Sequence, residues 1–212
     1  MNRKLLKRIL VTSAIAILGV STSFAALVME RDQSVDTAPS VGMYRFEVPV
    51  ELQGTYNSAG VANLTASMEK EPNTLSMNVA HVKGNPLESY VVEIYKDLAA
   101  IETHRKSDHY QAFVNEVGSK LTNRKMYDVQ SVLLFEKKDA LSIVNDGKAV
   151  VTLTEFTVDS NEIDTVQRQY QLDMERAVRD DAGYKAGYVL RERNAKNRWY
   201  VIQIYSDQEA LC

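Results

Sequence analysis

The sequence of 212 residues repeats itself at an offset of 110 positions. The clearest match pairs VVEIYKDLAA at 91–100 with VIQIYSDQEA at 201–210, and no gap is needed from the first predicted strand of each copy to the third. A repeat at a fixed spacing indicates that each copy is one structural unit. The chain is therefore predicted to contain two similar small domains.

Two stretches of the first copy, 43–50 and 75–80, alternate apolar and polar residues, as half-buried strands do, and the apolar run at 90–95 is predicted as a third strand. Between the first two, residues 52–70 place apolar side chains at helical spacing, which predicts a helix with one apolar face. Gly60 falls on that face, and a glycine inside a helix costs about 1 kcal/mol relative to alanine. The first copy is thus predicted to begin with a strand, a helix and a hairpin.

Two further helices and a last strand are predicted in this copy. Asp97 is expected to cap a short helix that runs to His104, and Ser107 or Asp108 to cap the next helix. Residues 129–135 are predicted as the fourth strand. The order β-α-β-β-α-β is that of α+β, ferredoxin-like folds. Because helices cover only one face of such a sheet, the second copy is expected to cover the other face.

The domain boundaries follow from the repeat. We predict a flexible lead-in at 26–41, a first domain at 42–138, a linker at 139–148 and a second domain at 149–212. The second copy ends before the counterparts of the last helix and the fourth strand. It is therefore an incomplete unit, or it borrows a strand from elsewhere, and an open sheet edge invites pairing with another chain, so a homodimer is one expected arrangement.

The first 25 residues have the pattern of a secretory signal peptide. A basic start is followed by an apolar run at 9–20 and by small residues at 21–26, which predicts cleavage after Ala25 and a secreted or periplasmic protein. An uncleaved membrane anchor is the alternative interpretation of the same pattern. Since no later stretch is long and apolar enough to span a bilayer, no stable membrane insertion is expected after cleavage.

Charge and cysteine content exclude some partners. The chain has 25 basic and 28 acidic residues; four of the basic ones lie in the predicted signal peptide, which leaves 21 against 28, a net charge of −7. This argues against nucleic acid, because phosphate binding needs a basic face. The one cysteine, Cys212, cannot form an internal disulfide, and it is either a free thiol or a link to a second chain.

The histidines of the first copy are the main candidates for chemistry. His104 and His109 are five positions apart, which on one continuous helix separates them by about 140° and disfavours a shared metal ion. No metal site is therefore predicted. His104 is a candidate general base, or alternatively a structural residue that binds Glu93 or a backbone carbonyl. A carboxylate inside an apolar strand needs a partner, so we predict a contact between Glu93 and His104.

Four motifs of the first copy resemble the antibiotic biosynthesis monooxygenase family of small α+β-barrel proteins. They are an acidic turn, EPN at 71–73, a strand end, EIYKD at 93–97, a helix start, Ala-Ala at 99–100, and the segment HRKSDHY at 104–110. The last motif is the most specific. The chain departs from the family pattern at Asn73, where the family has glycine. In the second copy, Gln203 replaces the glutamate and histidines are absent.

The resemblance implies a barrel of two sheets packed face to face, with a pocket between each sheet and its helices. In the oxygenases of this family a phenol or quinol is deprotonated and passes an electron directly to O2, without metal or flavin. The resemblance therefore implies a small aromatic or quinol substrate and no cofactor. A non-catalytic exported binding or stress-response module and a haem-degrading monooxygenase are the alternatives. We expect His104 and Glu93 to be catalytic, and the following residues to bind substrate: Asn63, Tyr95, His109, Tyr110 and Phe113.

Overall fold

The computed structural model describes residues 7–17, 39–137 and 148–211, with the backbone alone for 7–17. The described strands are β1 (Lys7–Ile17), β2 (Ser40–Glu47), β3 (Thr74–Val82), β4 (Asn85–Tyr95), β5 (Thr122–Tyr127), β6 (Val129–Glu136), β7 (Val150–Thr157), β8 (Tyr184–Glu192) and β9 (Arg198–Tyr205). The helices are α1 (Gln53–Lys70), α2 (Leu98–Lys106), α3 (Asp108–Glu116) and α4 (Ile163–Asp180). Among the described residues, no helix is long and apolar enough to cross a membrane.

The first unit is an antiparallel sheet in the order β5-β2-β4-β3 with α1, α2 and α3 packed on it. The predicted strand, helix and hairpin of this unit are confirmed, although β2 already begins at Ser40, inside the predicted lead-in. The strand predicted at 129–135 is present as β6, but it is not the fourth strand of this sheet, because Thr122–Tyr127 takes the place beside β2. All side chains of β5 before Tyr127 are exposed, so this edge strand carries no alternation of apolar residues.

The second unit has the sheet order β7-β9-β8, with α4 on one face. The strand β6, which directly follows β5, leaves the first unit and pairs with β8, from Val129 opposite Glu192 to Glu136 opposite Ala186. The second unit therefore borrows a strand, which confirms one of the two alternatives given by the sequence. β6 thus belongs to the sheet of the second unit although it precedes residue 138, and the domain bounds drawn from the repeat stay a prediction. The predicted linker lies almost wholly outside the described residues.

The strand β1 lies between the two units, antiparallel to both β3 and β7. β1 pairs with the two units in the way that β5 and β6 together do on the opposite side of the molecule. In β1, Val11 lies opposite Val82, and in β6, Val129 lies opposite Glu192, which is the counterpart of Val82 in the repeat. β1 therefore stands where the missing fourth strand of the second unit would stand. The expectation that residues 1–25 lie outside the fold does not hold for β1 in the full-length chain, whereas cleavage after Ala25 stays a prediction.

The two sheets face each other and bury a shared core. The Tyr127 and Tyr200 rings meet at 5.4 Å between centroids, and the Ser76 hydroxyl lies 3.1 Å from that of Tyr188. Burial of apolar surface on this scale is the main stabilising contribution to a fold of this kind. Each unit also has a second core between its sheet and its helices. The barrel therefore closes within one chain, and each unit keeps a separate interior under its helices.

The segment that carries the histidines is two helices rather than one. The Asp97 side chain accepts a hydrogen bond from the Ala100 amide and caps α2, as predicted. Ser107 then adopts an extended conformation, ends α2 and caps α3 by accepting from the Tyr110 amide at 3.3 Å. Serine is favoured at such a position because its oxygen satisfies an otherwise unpaired helix amide. The resulting bend sets the orientation of the two histidines.

Candidate functional site

A cavity of about 530 Å³ lies under the helices of the first unit. Its walls come from the sheet and from all three helices of that unit, and aromatic rings form much of the surface. Of the residues predicted from the sequence to form the site, six line this cavity: Asn63, Glu93, Tyr95, His104, Tyr110 and Phe113. Small ligands bind in largely apolar cavities of this size that carry a few convergent polar groups. The cavity is therefore the candidate functional site.

His104 is the most buried of the polar groups in this wall, with 1% of its surface exposed. Its Nδ1 atom lies 3.2 Å from both carboxylate oxygens of Glu71 and 3.3 Å from the Ser67 hydroxyl. Its Nε2 atom has no hydrogen-bond partner in the described structure. The predicted contact with Glu93 is wrong: the partner is the carboxylate of the acidic turn at the end of α1, which α2 overlies.

The contacts of Nδ1 fix the tautomer of this imidazole. The Ser67 hydroxyl donates to the backbone carbonyl of Asn63 at 2.8 Å, so its hydrogen is not available to His104. Nδ1 must then carry the proton and donate to Glu71, because a carboxylate only accepts. Burial lowers the pKa of His104, against the opposing effect of Glu71, and favours the neutral ring. Nε2 is consequently an unprotonated acceptor, the form that a general base requires.

Glu71 holds several donors at once. Oε2 accepts from the Thr74 hydroxyl at 2.6 Å, and Oε1 lies 2.7 Å from His109 Nε2. Burial by itself would raise the pKa of this carboxyl, but the hydrogen bonds from Thr74, His104 and His109 outweigh it, and the pKa lies below its ordinary value. Glu71 is therefore an anion that orients His104, as the aspartate of a catalytic triad orients its histidine.

His109 contacts Glu71 and is not among the residues that line the cavity, and its role in substrate binding stays a prediction. The assumed separation of about 140° on a continuous helix does not apply, because the chain bends at Ser107. Both imidazoles therefore reach one carboxylate, with ligand atoms within 4.8 Å of one another. Two histidines and a carboxylate can bind a divalent ion. Here both carboxylate oxygens already accept hydrogen bonds, which fits a proton network better than a metal centre.

Glu93 lies on the sheet side of the cavity and accepts a hydrogen bond from the Tyr95 hydroxyl at 3.0 Å. Burial raises the pKa of Glu93 to about 7, although Tyr95 and Arg105 oppose the shift. Gly42 leaves room for the Tyr44 ring and the Glu93 carboxylate, because a Cβ at this position would lie 2.8 Å from the ring and 3.1 Å from the carboxylate. Glu93 is therefore a second group in the cavity that can exchange a proton near neutral pH.

Sequence reasoning missed three contributors to this site. Glu71 was assigned only to a turn. Gly42 and Gly60 were not assigned to the site, because the sequence does not show that the space beside Gly60 remains open as a cavity or that a side chain at Gly42 would clash there. The position of Glu71 in the family motif could have identified it.

Comparisons with known proteins agree with this geometry. Residues 41–116 match the family model for antibiotic biosynthesis monooxygenase. The structure is similar to that of a proposed monooxygenase from Lactobacillus acidophilus NCFM, with 18% identity, a TM-score of 0.72, and coverage of 82% of this chain and 80% of the other. A proposed monooxygenase from Fusobacterium nucleatum is also similar, with 21% identity, a TM-score of 0.67, and coverage of 82% and 79%.

At these identities the two structures establish the fold alone, including its two-unit arrangement. No curated protein matches the chain. The family match covers the cavity helices, the acidic turn and both histidines of the network, and so includes the candidate site. The resemblance seen in the sequence is therefore confirmed for residues 41–116, which match the model of the antibiotic biosynthesis monooxygenase family.

Proposed function

We propose that the protein is a cofactor-independent monooxygenase that acts on a small phenol or quinol with O2, and that His104 is its general base. The observation that supports this most directly is the state of His104. Its Nδ1 is held by an anionic carboxylate, its Nε2 is buried without a partner in the described structure, and His104 is one of the residues that line a cavity of about 530 Å³. An unsatisfied buried acceptor is costly unless a ligand supplies a donor.

The substrate hydroxyl is that donor. It gives its proton to His104 Nε2, and Glu71 stabilises the imidazolium that forms. Tyr56, Tyr95 and Phe113 lie in the cavity wall and offer apolar faces to an aromatic ring. The pKa of Tyr95 is raised, first by burial and then by Glu93, so its hydroxyl stays protonated.

Proton removal makes the ring electron-rich. The anion passes one electron to O2, the resulting radical pair joins through a C–O bond, and the peroxide loses water to leave one oxygen atom in the product. Glu93, with a pKa of about 7, is placed to supply or accept the proton of the later step. The chain contributes a base, proton donors and a cavity with little water.

Oxygen uptake with a panel of quinols tests this mechanism. His104→Asn keeps an amide that can donate to Glu71 but removes the Nε2 acceptor, so we expect turnover to fall about 100-fold or more while the thermal unfolding midpoint changes little. Asp181→Asn in the second unit is the control and should leave turnover unchanged. Unaltered turnover in His104→Asn would refute the assignment of the base.

Two alternative functions have distinct outcomes in the same assay. A protein that binds quinols without consuming oxygen is a binding module that retains the family fold. Haem degradation would use the free Nε2 of His104 as an axial ligand. Titration with haem would then produce a haem absorbance band that is lost in His104→Asn, and no such band is expected from a quinol monooxygenase.

We also propose that the protein is exported with cleavage after Ala25. Cleavage would remove β1 and leave two unpaired strand edges, on β3 and β7. Because unpaired edges recruit other strands, the mature protein is expected as a homodimer. Intact mass and light scattering of the protein recovered from the cell envelope or medium test both statements. A full-length or monomeric product would contradict them.

A further inference from the structure

The cavity has a charge that differs from that of the whole chain. The chain carries a net charge of −3, yet two of the residues that line the cavity are cations with exposed side chains, Arg105 and Arg124, against the single acid Glu93. Lys125 also belongs to the lining, but its Nζ atom lies 4.1 Å from the centroid of the Tyr127 ring, which is part of the core between the sheets. At neutral pH Glu93 is only about half ionised, since its pKa is about 7. The exposed part of the lining, which we call the entrance, therefore has a positive potential.

Both arginines line the same cavity as Tyr110 and His104. The Tyr110 ring packs on His104, with 4.7 Å between the ring centroids. Burial and Glu93 raise the pKa of Tyr110, and the charges of Arg105 and Arg124 oppose this rise. The base and the two arginines therefore border one cavity.

Neither arginine is neutralised by a strong ion pair. Arg105 lies 3.2 Å from Glu102, three residues earlier on α2, but both side chains are about half exposed, at 48% and 57%. An exposed pair of this kind contributes little. Arg124 Nε donates to the backbone carbonyl of Leu121 at 2.9 Å, which leaves the other donors of its guanidinium for a ligand. Arginine favours carboxylates because its fork of N–H groups matches their geometry.

We propose that the substrate is an anionic aromatic: a phenol or quinol that carries a carboxylate, bound with its hydroxyl at His104 and its carboxylate between Arg105 and Arg124. This inference rests on the proposed function, because the hydroxyl at His104 defines the orientation. It adds that the entrance selects for negative charge, whereas a neutral quinol gains only the contacts with the aromatic wall.

Calorimetric binding of a matched pair of probes tests the selection without turnover. The probes are 6-hydroxy-2-naphthoate and the corresponding neutral amide, which share the ring and the hydroxyl, and binding is measured under nitrogen so that neither probe can be oxidised. We expect the carboxylate to bind about tenfold more tightly than the amide at low ionic strength, and this preference to shrink as salt rises. Equal affinities for the two probes would overturn the proposal.

Variants identify the groups responsible. The double substitution Arg105→Gln/Arg124→Gln should abolish the preference and leave the affinity for the amide unchanged. Arg176→Gln/Arg179→Gln removes two exposed charges from α4 of the second unit and should preserve the preference. A loss that is equal for both probes in the first variant would show a structural effect and refute the carboxylate site.

The result is separable from that of the proposed function. A charge preference without oxygen uptake on any quinol would leave the anion site standing and refute the monooxygenase. Oxygen uptake on neutral quinols, with equal binding of the two probes, would leave the monooxygenase standing and refute the anion site.

Discussion

The two units of this protein share a backbone plan and differ in their interiors. Under the helices of the first unit lies a cavity of about 530 Å³. At the matching positions of the second unit large side chains replace small ones: Tyr170 stands for Gly60, Tyr184 for Thr74 and Trp199 for Ser89. Tyr184 and Trp199 are fully buried, and Tyr170 packs on Phe156 at 5.7 Å between centroids. Larger side chains therefore occupy the interior of the second unit, and among the described residues the second unit also lacks counterparts of α2 and α3, which form part of the cavity wall.

The acidic groups also distinguish the two units. Glu71 holds two histidines and a threonine, whereas its counterpart Asp181 accepts from the backbone amides of Gly183 and Tyr184 and stabilises a turn. Glu93 has the neutral counterpart Gln203. The first unit thus retains ionisable groups that a packing role does not require, and the second unit serves as the partner that completes the barrel.

The largest effect is expected from exchanging the residue that distinguishes the two interiors. Gly60→Tyr introduces the side chain of Tyr170 into the first unit, where a Cβ meets open space. The ring should fill the cavity and weaken binding of 6-hydroxy-2-naphthoate about a thousandfold, as measured by calorimetry. Retained binding would show that the ligand site lies elsewhere.

Gly60→Ala is the matched control for this exchange. It adds one methyl group in the same open space and replaces glycine inside α1, so binding should persist and the free energy of unfolding should rise by up to about 1 kcal/mol. A destabilised Gly60→Ala variant would mean that the position is strained rather than open.

A smaller effect is expected from Glu93, whose pKa is raised by burial to about 7. The folded state keeps the proton where the unfolded chain, near 4.5, has lost it, so stability falls as pH rises from about 4.5 to about 7. Glu93→Gln should remove this loss and raise the free energy of unfolding above pH 7 by at most about 3 kcal/mol. Chemical denaturation across pH measures the difference.

The reciprocal change sharpens the comparison between the units. Gln203→Glu introduces a carboxyl at the matching position of the second unit. This variant should lose stability as the pH rises to neutral, which is the opposite of the effect expected for Glu93→Gln. If the pH dependence of stability in both variants were the same as in the parent protein, the assigned origin of the pKa shift would be contradicted.

The smallest of the three effects is expected from Glu71→Gln, which weakens the bonds to His104, His109 and Thr74. We expect a loss of about 2 kcal/mol near neutral pH, since the buried donors lose a charged acceptor. The pKa of Glu71 is lowered in the folded state, so its contribution is present above 4.5 and disappears as pH falls. The variant and the parent should therefore converge in acid.

Asp181→Asn is the control in the second unit. An asparagine oxygen can accept the same two amide hydrogen bonds, so this variant should change stability by less than about 0.5 kcal/mol. A loss as large as that of Glu71→Gln would mean that the two acids have equivalent structural roles.

Much of the fold was predictable because it follows from local patterns. The strand and helix at 43–70, the hairpin that follows and the capping by Asp97 and Ser107 depend on alternation, helical spacing and cap chemistry. The strand β5 was missed because an exposed edge needs no apolar alternation. The partner of β6 was also missed, because pairing with a distant strand leaves no mark on the strand itself.

Within the candidate site, residue types were predictable and contacts were not. Six of the predicted residues line the cavity because the motif that suggested them is carried by one sheet and two helices. The partner of His104 was misassigned, since Glu71 and Glu93 are both acids and only the packing of α2 on the end of α1 selects between them. The placement of His109 depended on a bend of one residue.

The sequence by itself determined that the chain contains two copies of a sheet-and-helix unit, and that only the first carries histidines and a full set of acids. These are properties of residue order and identity. Tertiary structure alone decided which carboxylate binds which imidazole, which unit receives the strand after β5, and where a hollow remains. The physical reason is that hydrogen bonds and cavities depend on distances between segments far apart in the chain, which only the packed fold sets.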